Sequence, residues 1–182
     1  YGSDLAASKG NATKTTVMRY NNDADKVKLD ESITTNDEFD IYGNVKKSKT
    51  VNYSYITGAR QKVSETEIRN DDIDIGRGTS GIQEILTKTV VKGSDPEELE
   101  VTNYQVMTNR RYDSDDNILN QHVIRYTGVA DAAAEVWVGT VVVEKQEIRS
   151  SGYDNGTASL QFIATYTADD QLIDIKKIVN SD

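Results

Sequence analysis

Tyr112-Asp-Ser-Asp-Asp-Asn-Ile-Leu-Asn-Gln-His-Val-Ile-Arg-Tyr126 is the stretch on which the fold reading rests. It runs from an aromatic entry through a polar turn into an alternating segment that ends on a second aromatic. Asp115-Asp116-Asn117 favours a tight turn, because Asp and Asn side chains bond nearby backbone and tolerate left-handed dihedrals. From Ile118 to Thr127 successive side chains point to opposite faces. Ile118, Asn120, His122, Ile124 and Tyr126 share one face; Leu119, Gln121, Val123, Arg125 and Thr127 share the other. Both faces mix apolar and polar residues, which suits a thin sheet covered in patches.

Variants of this stretch recur. Phe39-Asp40 matches Tyr112-Asp113, and Gly43-Asn44-Val45 matches Asp116-Asn117-Ile118. Val51 and Tyr53 then match Ile124 and Tyr126 without a gap. A third copy starts at Tyr166, where Asp169-Asp170-Gln171-Leu172 matches Asp115 to Ile118. A second echo lies between the copies: residues 61–69 resemble 141–149, and 78–89 resemble 156–167. The simplest account is two tandem units of roughly 75–80 residues, each of two hairpins. The expected fold is therefore all-β, with antiparallel hairpin repeats in an extended sheet or a sandwich. A flexible arm is expected over 1–13, with a weak helical signal from Asp4 to Ser8, a first unit over 14–93 and a second over 97–182. Pro96, the single proline, marks the join.

Composition bounds the rest. With 182 residues the chain can bury a core, yet its apolar share is 36%. An average domain has about 45–50%, on a count that includes Gly. Ten Tyr stand against two Phe and one Trp, which fits extended β-structure. The net charge of −9 disfavours nucleic acid and anionic membrane surfaces, and suits solubility or cation binding. With no cysteine, disulfides, thiol catalysis and thiolate metal sites are excluded. No apolar run is long enough for a membrane span. The chain opens on Tyr1, which reads as a processed product or a piece of something longer.

Segment by segment, strands are expected at Lys14 to Tyr20, Lys26 to Thr34, Val45 to Thr57, Val63 to Arg69, Ile82 to Lys92 and Leu99 to Arg111. After the organising hairpin, residues 128–135 read as a loop. Val136 to Ile148 reads as a central, covered strand because it is apolar on both faces. Ser150 to Gly156 reads as a turn, and Leu160 to Tyr166 and Leu172 to Val179 close the sheet. No segment holds a helical period.

Three acidic clusters suit Ca2+, which takes six to eight oxygens: Asp71, Asp72 and Asp74; Asp113, Asp115 and Asp116; and Asp23 with Asp25. Turn chemistry explains the same residues and is the stronger reading. His122, the single histidine, has no nucleophile motif beside it. Acid pairs such as Glu65/Glu67 and Glu97/Glu98 read as surface charge in a chain with thirty acidic residues. The tyrosines and Trp137 would line a glycan groove or make cross-strand packing pairs, packing being the stronger reading. Asn11, Asn52 and Asn155 head glycosylation sequons.

The pattern Tyr112-Asp113-x-x-Asp116-Asn117-Ile118, with copies at Phe39-Asp40-x-x-Gly43-Asn44-Val45 and Tyr153-Asp154, resembles the YD repeats of bacterial Rhs-type and giant cell-surface proteins. The resemblance implies long antiparallel sheets in which the dipeptide, the turn and the strand recur. The chain departs from it in its irregular spacing, in Asp standing for Gly, and in the hairpins that intervene. The expected function is a non-catalytic extracellular scaffold segment of a large cell-surface or filament-forming protein, meeting neighbouring repeats or identical subunits through sheet edges. The alternative is a carbohydrate-binding β-sandwich, stabilised by Ca2+. No other cofactor, nucleic acid or membrane insertion is expected.

Overall fold

Asp40 and Asp113 close their hairpins with the same set of bonds. Asp40 N donates to the Asn44 carbonyl at 3.0 Å and Gly43 N to the Asp40 carbonyl at 3.1 Å; Asp113 N to Asn117 O (3.0 Å) and Asp116 N to Asp113 O (3.3 Å) repeat them. Each aspartate Oδ1 accepts the amide of the residue two ahead, at 2.9 Å, and of the asparagine four ahead, at 2.8 and 2.9 Å. Each Oδ2 accepts that asparagine's side-chain amide, at 2.8 and 3.0 Å. Gly43 and Asp116 take the left-handed φ that the turn needs, 80° and 65°. At the third copy Thr167 N bonds Gln171 O (2.9 Å) and Asp170 has φ 61°.

The computed structural model describes residues 11–22, 24–74, 78–91 and 98–180. Ten strands appear among them: β1 Lys14–Tyr20, β2 Lys28–Phe39, β3 Val45–Ser54, β4 Gln61–Ile73, β5 Ser80–Val90, β6 Leu99–Tyr112, β7 Ile118–Tyr126, β8 Val142–Asp154, β9 Thr157–Tyr166 and β10 Leu172–Val179. They form one ten-stranded sheet in sequence order, built of antiparallel hairpins. The all-β expectation is met. Of the expected arm over 1–13, residues 1–10 with the helical signal lie outside the described residues, as does the join at Pro96, while the Asn11 side-chain amide donates to Gly43 O at 3.2 Å and Thr13 O accepts from Asn36 N at 2.9 Å.

Register follows from turn and bulge. Phe39 pairs with Val45 and Tyr112 with Ile118, each just beyond a bulge, at Glu38 and Arg111. On the far side, the pairing shifts between Asn52 and Tyr53 and again between Arg125 and Tyr126. An extra residue in one strand of a pair increases the local twist.

The chain divides into two compact units, Tyr1–Asn70 with Ile85–Thr102, and Asp71–Glu84 with Asn103–Asp182. In the first, Leu86 is fully buried, and the carboxylates of Glu31 and Glu65 are buried as well. Glu31 accepts from the Tyr55 hydroxyl (2.7 Å) and Arg60 Nε (2.9 Å). Glu65 sits between Lys49 (2.8 Å) and Lys62 (2.9 Å), and Glu67 between Lys47 (3.4 Å) and Arg69 (3.0 Å). In the second, Tyr104 is the buried centre. It stacks on Tyr126 at 5.3 Å and meets Trp137 edge-on at 5.9 Å.

Residues 136–141 differ from the expected covered strand. β8 starts only at Val142, and Val136, Val138 and Val141 are exposed. Residues 127–141 form a side excursion with its own rungs, Thr127 N to Val141 O (2.9 Å), Ala130 N to Val138 O (3.0 Å) and Thr140 N to Gly128 O (3.0 Å). Alternation then turns Trp137 inward, buried, and its neighbours Val136 and Val138 outward. Gly139 lies against Tyr126, where a Cβ would collide with the ring.

The expected turn over 150–156 is also shorter than read. β8 runs to Asp154, and only Asn155-Gly156 turns, with φ of 46° and 79°. Two positive-φ residues make the two-residue hairpin that matches strand twist. Likewise β2 continues to Phe39 and β4 to Ile73.

Candidate interaction surfaces

Asp113 spends its carboxylate on its own turn. The Asn117 side-chain amide, then the Asn117 and Asp115 backbone amides, hold its pKa below the usual range despite burial. Asp115 and Asp116 are exposed beside it. Asp71 and Asp72 belong to the end of β4 rather than to a loop, and Asp72 has φ 50°. Asp74 N bonds Thr79 O at 3.0 Å, and Gly78 N bonds Asp74 O at 2.7 Å. Asp25 is exposed in a turn, and Asp23 lies outside the described residues. Among the described residues no three His, Asp or Glu side chains gather around a point where a cation would sit.

His122 lies mid-β7, paired with Thr108 and Glu147. Burial first, then the Arg110 charge, pushes its pKa down. It lines a shallow depression of ≈ 290 Å³ with Arg110, Lys145, Glu147, Arg149, Tyr166 and Asp170. Glu65 and Glu67 are bound by lysines and arginine, as above. Burial raises the Glu65 pKa, but hydrogen bonds from Lys49 and Lys62 outweigh it and leave the group lowered. For Glu31 the Tyr55 hydroxyl leads, with Arg60 and Lys28 helping, and the pKa is lowered.

The aromatics divide. Tyr104 and Trp137 are buried against each other, and Tyr53 lies under the Arg60 guanidinium at 3.6 Å. Of the sequons, Asn52 is half-buried in β3 and donates to Ser64 Oγ at 2.9 Å, whereas Asn155 is exposed at a turn tip.

The outer strands β1 and β10 are exposed along their whole lengths. β1 carries Val17, Met18 and Tyr20 among its exposed residues; β10 carries Leu172, Ile173, Ile175, Ile178 and Val179. Consecutive residues in regular register, Ile178 and Val179, put apolar groups on both faces of β10. Lys14, Arg19, Lys176 and Lys177 add charge to these edges.

A row of cations was missed from sequence: Arg111, Arg149 and Lys177 sit on different strands and meet only through the register. The adjacent pair Arg110-Arg111 in an acidic chain was the one local signal.

No family model and no curated protein matches this chain. A crystallised protein of unknown function from Bacteroides fragilis is similar in part, with 9% identity and a TM-score of 0.32 over 74% of this chain and 94% of that one.

Proposed function

We propose that this chain is a non-catalytic, extracellular β-repeat scaffold segment of a larger cell-surface or filament-forming protein, of the YD-repeat kind. It meets neighbouring repeats or identical subunits through its outer strands. The observation that carries the reading is the exposure of β1 and β10 along their full length, with apolar residues among them. An outer strand presents unpaired backbone groups that template another strand. The matching turns at Asp40 and Asp113 support the repeat component, since one device closing two hairpins is what duplication produces.

Sedimentation velocity over a concentration series tests it. The chain is expected to self-associate with a Kd below about 1 mM. Ile173→Lys with Ile175→Lys, placing charge on β10, is expected to abolish association without lowering the melting temperature. A chain that stays monomeric throughout, or associates equally well with both substitutions, contradicts the reading.

A further inference from the structure

Five residues form one row across the second unit's strands. Arg111 on β6 pairs with Asn120 on β7, Asn120 with Arg149 on β8, Arg149 with Phe162 on β9, and Phe162 with Lys177 on β10. Directly paired residues in regular register lie on the same side of a sheet; Arg111 stands at a bulge, and it joins the row by lining one depression with Asn120 and Arg149. The row therefore alternates cation, amide, cation, aromatic ring, cation. Strands lie about 4.8 Å apart, so the cations recur at about 9.6 Å along the row.

These groups are available. Arg111, Arg149, Phe162 and Lys177 are exposed. Neither arginine forms an ion pair with a described residue, and the Lys177 ammonium lies 6.0 Å from the Phe162 ring centre. Arg111, Asn120 and Arg149 line one open depression of ≈ 650 Å³ together with Arg110. The acid in that depression, Glu147, is already held by Arg110 at 3.1 Å and by the Asn120 side-chain amide at 2.6 Å. That leaves Asn120 Oδ1 to accept from a hydroxyl.

We propose that this row binds an acidic glycan that carries its anionic group on every second sugar. Arginine's planar fork fits a carboxylate or sulfate. An exposed ring such as Phe162 suits the apolar face of a pyranose, and a few placed polar groups fix orientation. Alternate sugars in an extended glycan fall two rings apart, matching cations on alternate strands, while the intervening neutral sugars meet Asn120 and Phe162. The chain's net charge of −9 works against densely charged polymers such as nucleic acid, whose binding rests on many phosphate contacts. This site does not depend on the scaffold reading, because it needs only one face of β6 to β10.

Titration calorimetry on the full chain tests it, with four probes: a hyaluronan octasaccharide (acid on alternate sugars), an octagalacturonate (acid on every sugar), a neutral chitin oligosaccharide and duplex DNA. The hyaluronan probe is expected to bind most tightly. Arg149→Gln and Arg111→Gln are each expected to weaken it about tenfold, the loss of one charge-assisted contact. Phe162→Ala is expected to weaken it as well. Arg125→Gln, on the opposite alternation of β7 and paired with Glu144 at 3.2 Å, is expected to leave it unchanged. Absence of hyaluronan binding at low salt, equal or tighter binding of octagalacturonate or DNA, or indifference to Phe162→Ala overturns the proposal.

Discussion

Tyr53 pairs across its hairpin with Glu31, and Tyr126 pairs with Tyr104. The two tyrosines hold equivalent places after equivalent turns, and each pairs with β4 or β8 just past a shift in register. Their cover is opposite in kind. Over Tyr53 the short connection at 55–60 lays Arg60, fixed by Glu31. Over Tyr126 the excursion at 127–141 lays Trp137 and Gly139. The comparison teaches that turn and bulge set the backbone in this protein, while the connection after the hairpin supplies the cover. A thin sheet accepts a charge network or an aromatic cluster at the same rung, provided each buried polar group finds a partner.

The largest effect is expected on the aromatic side. Trp137→Ala removes the edge-on ring over Tyr104 and should cost about 3–5 kcal/mol by denaturant melting. Gly139→Ala sharpens the point: it keeps Trp137 but drives a methyl into Tyr126, for about 1–3 kcal/mol of overpacking. If Trp137→Ala proves nearly neutral, the excursion is ornament and the comparison fails.

A second effect is expected on the charged side alone. The folded pKa values of Glu31 and Glu65 are lowered from 4.5. Their contribution is therefore complete above that value and is lost as pH falls through the lower folded values. Acid titration followed by NMR should loosen the Tyr53 region first. The fluorescence of Trp137, the single tryptophan, should hold to lower pH. Glu31→Gln should flatten the acid response around Tyr53. Simultaneous loss at both sites would mean that the two covers are not independent.

Much of the fold was legible because turn chemistry is local. Asp40 and Asp113, with the asparagine four residues on, mark their turns by composition, and the strand starts at Val45 and Ile118 follow from them, whereas β2 runs past its expected end at Thr34 to Phe39. The bounds of β1 and β10 were read directly. The valines at 136–143 misled because β-branched residues suit extended backbone whether or not they are covered. Asn155-Gly156 was hidden within a longer polar run, since Ser150 to Tyr153 reads as loop by composition but pairs with β9. The Asp113 cluster reads alike for calcium and for turn; only the bonds to Asn117 show where that carboxylate is engaged. The cation row had no chance of being seen, because cross-strand neighbours are set by register and not by spacing along the chain.

The central claim is that one turn device closes both hairpins whatever covers them. Amide hydrogen exchange by NMR at Asn44 and Asn117, in the native chain and in Asp40→Ala and Asp113→Ala, tests it most directly. The account predicts that both amides are protected in the native chain, and that each substitution speeds exchange in its own hairpin only. Protection at one asparagine and not the other, or indifference to loss of the aspartate, would contradict it.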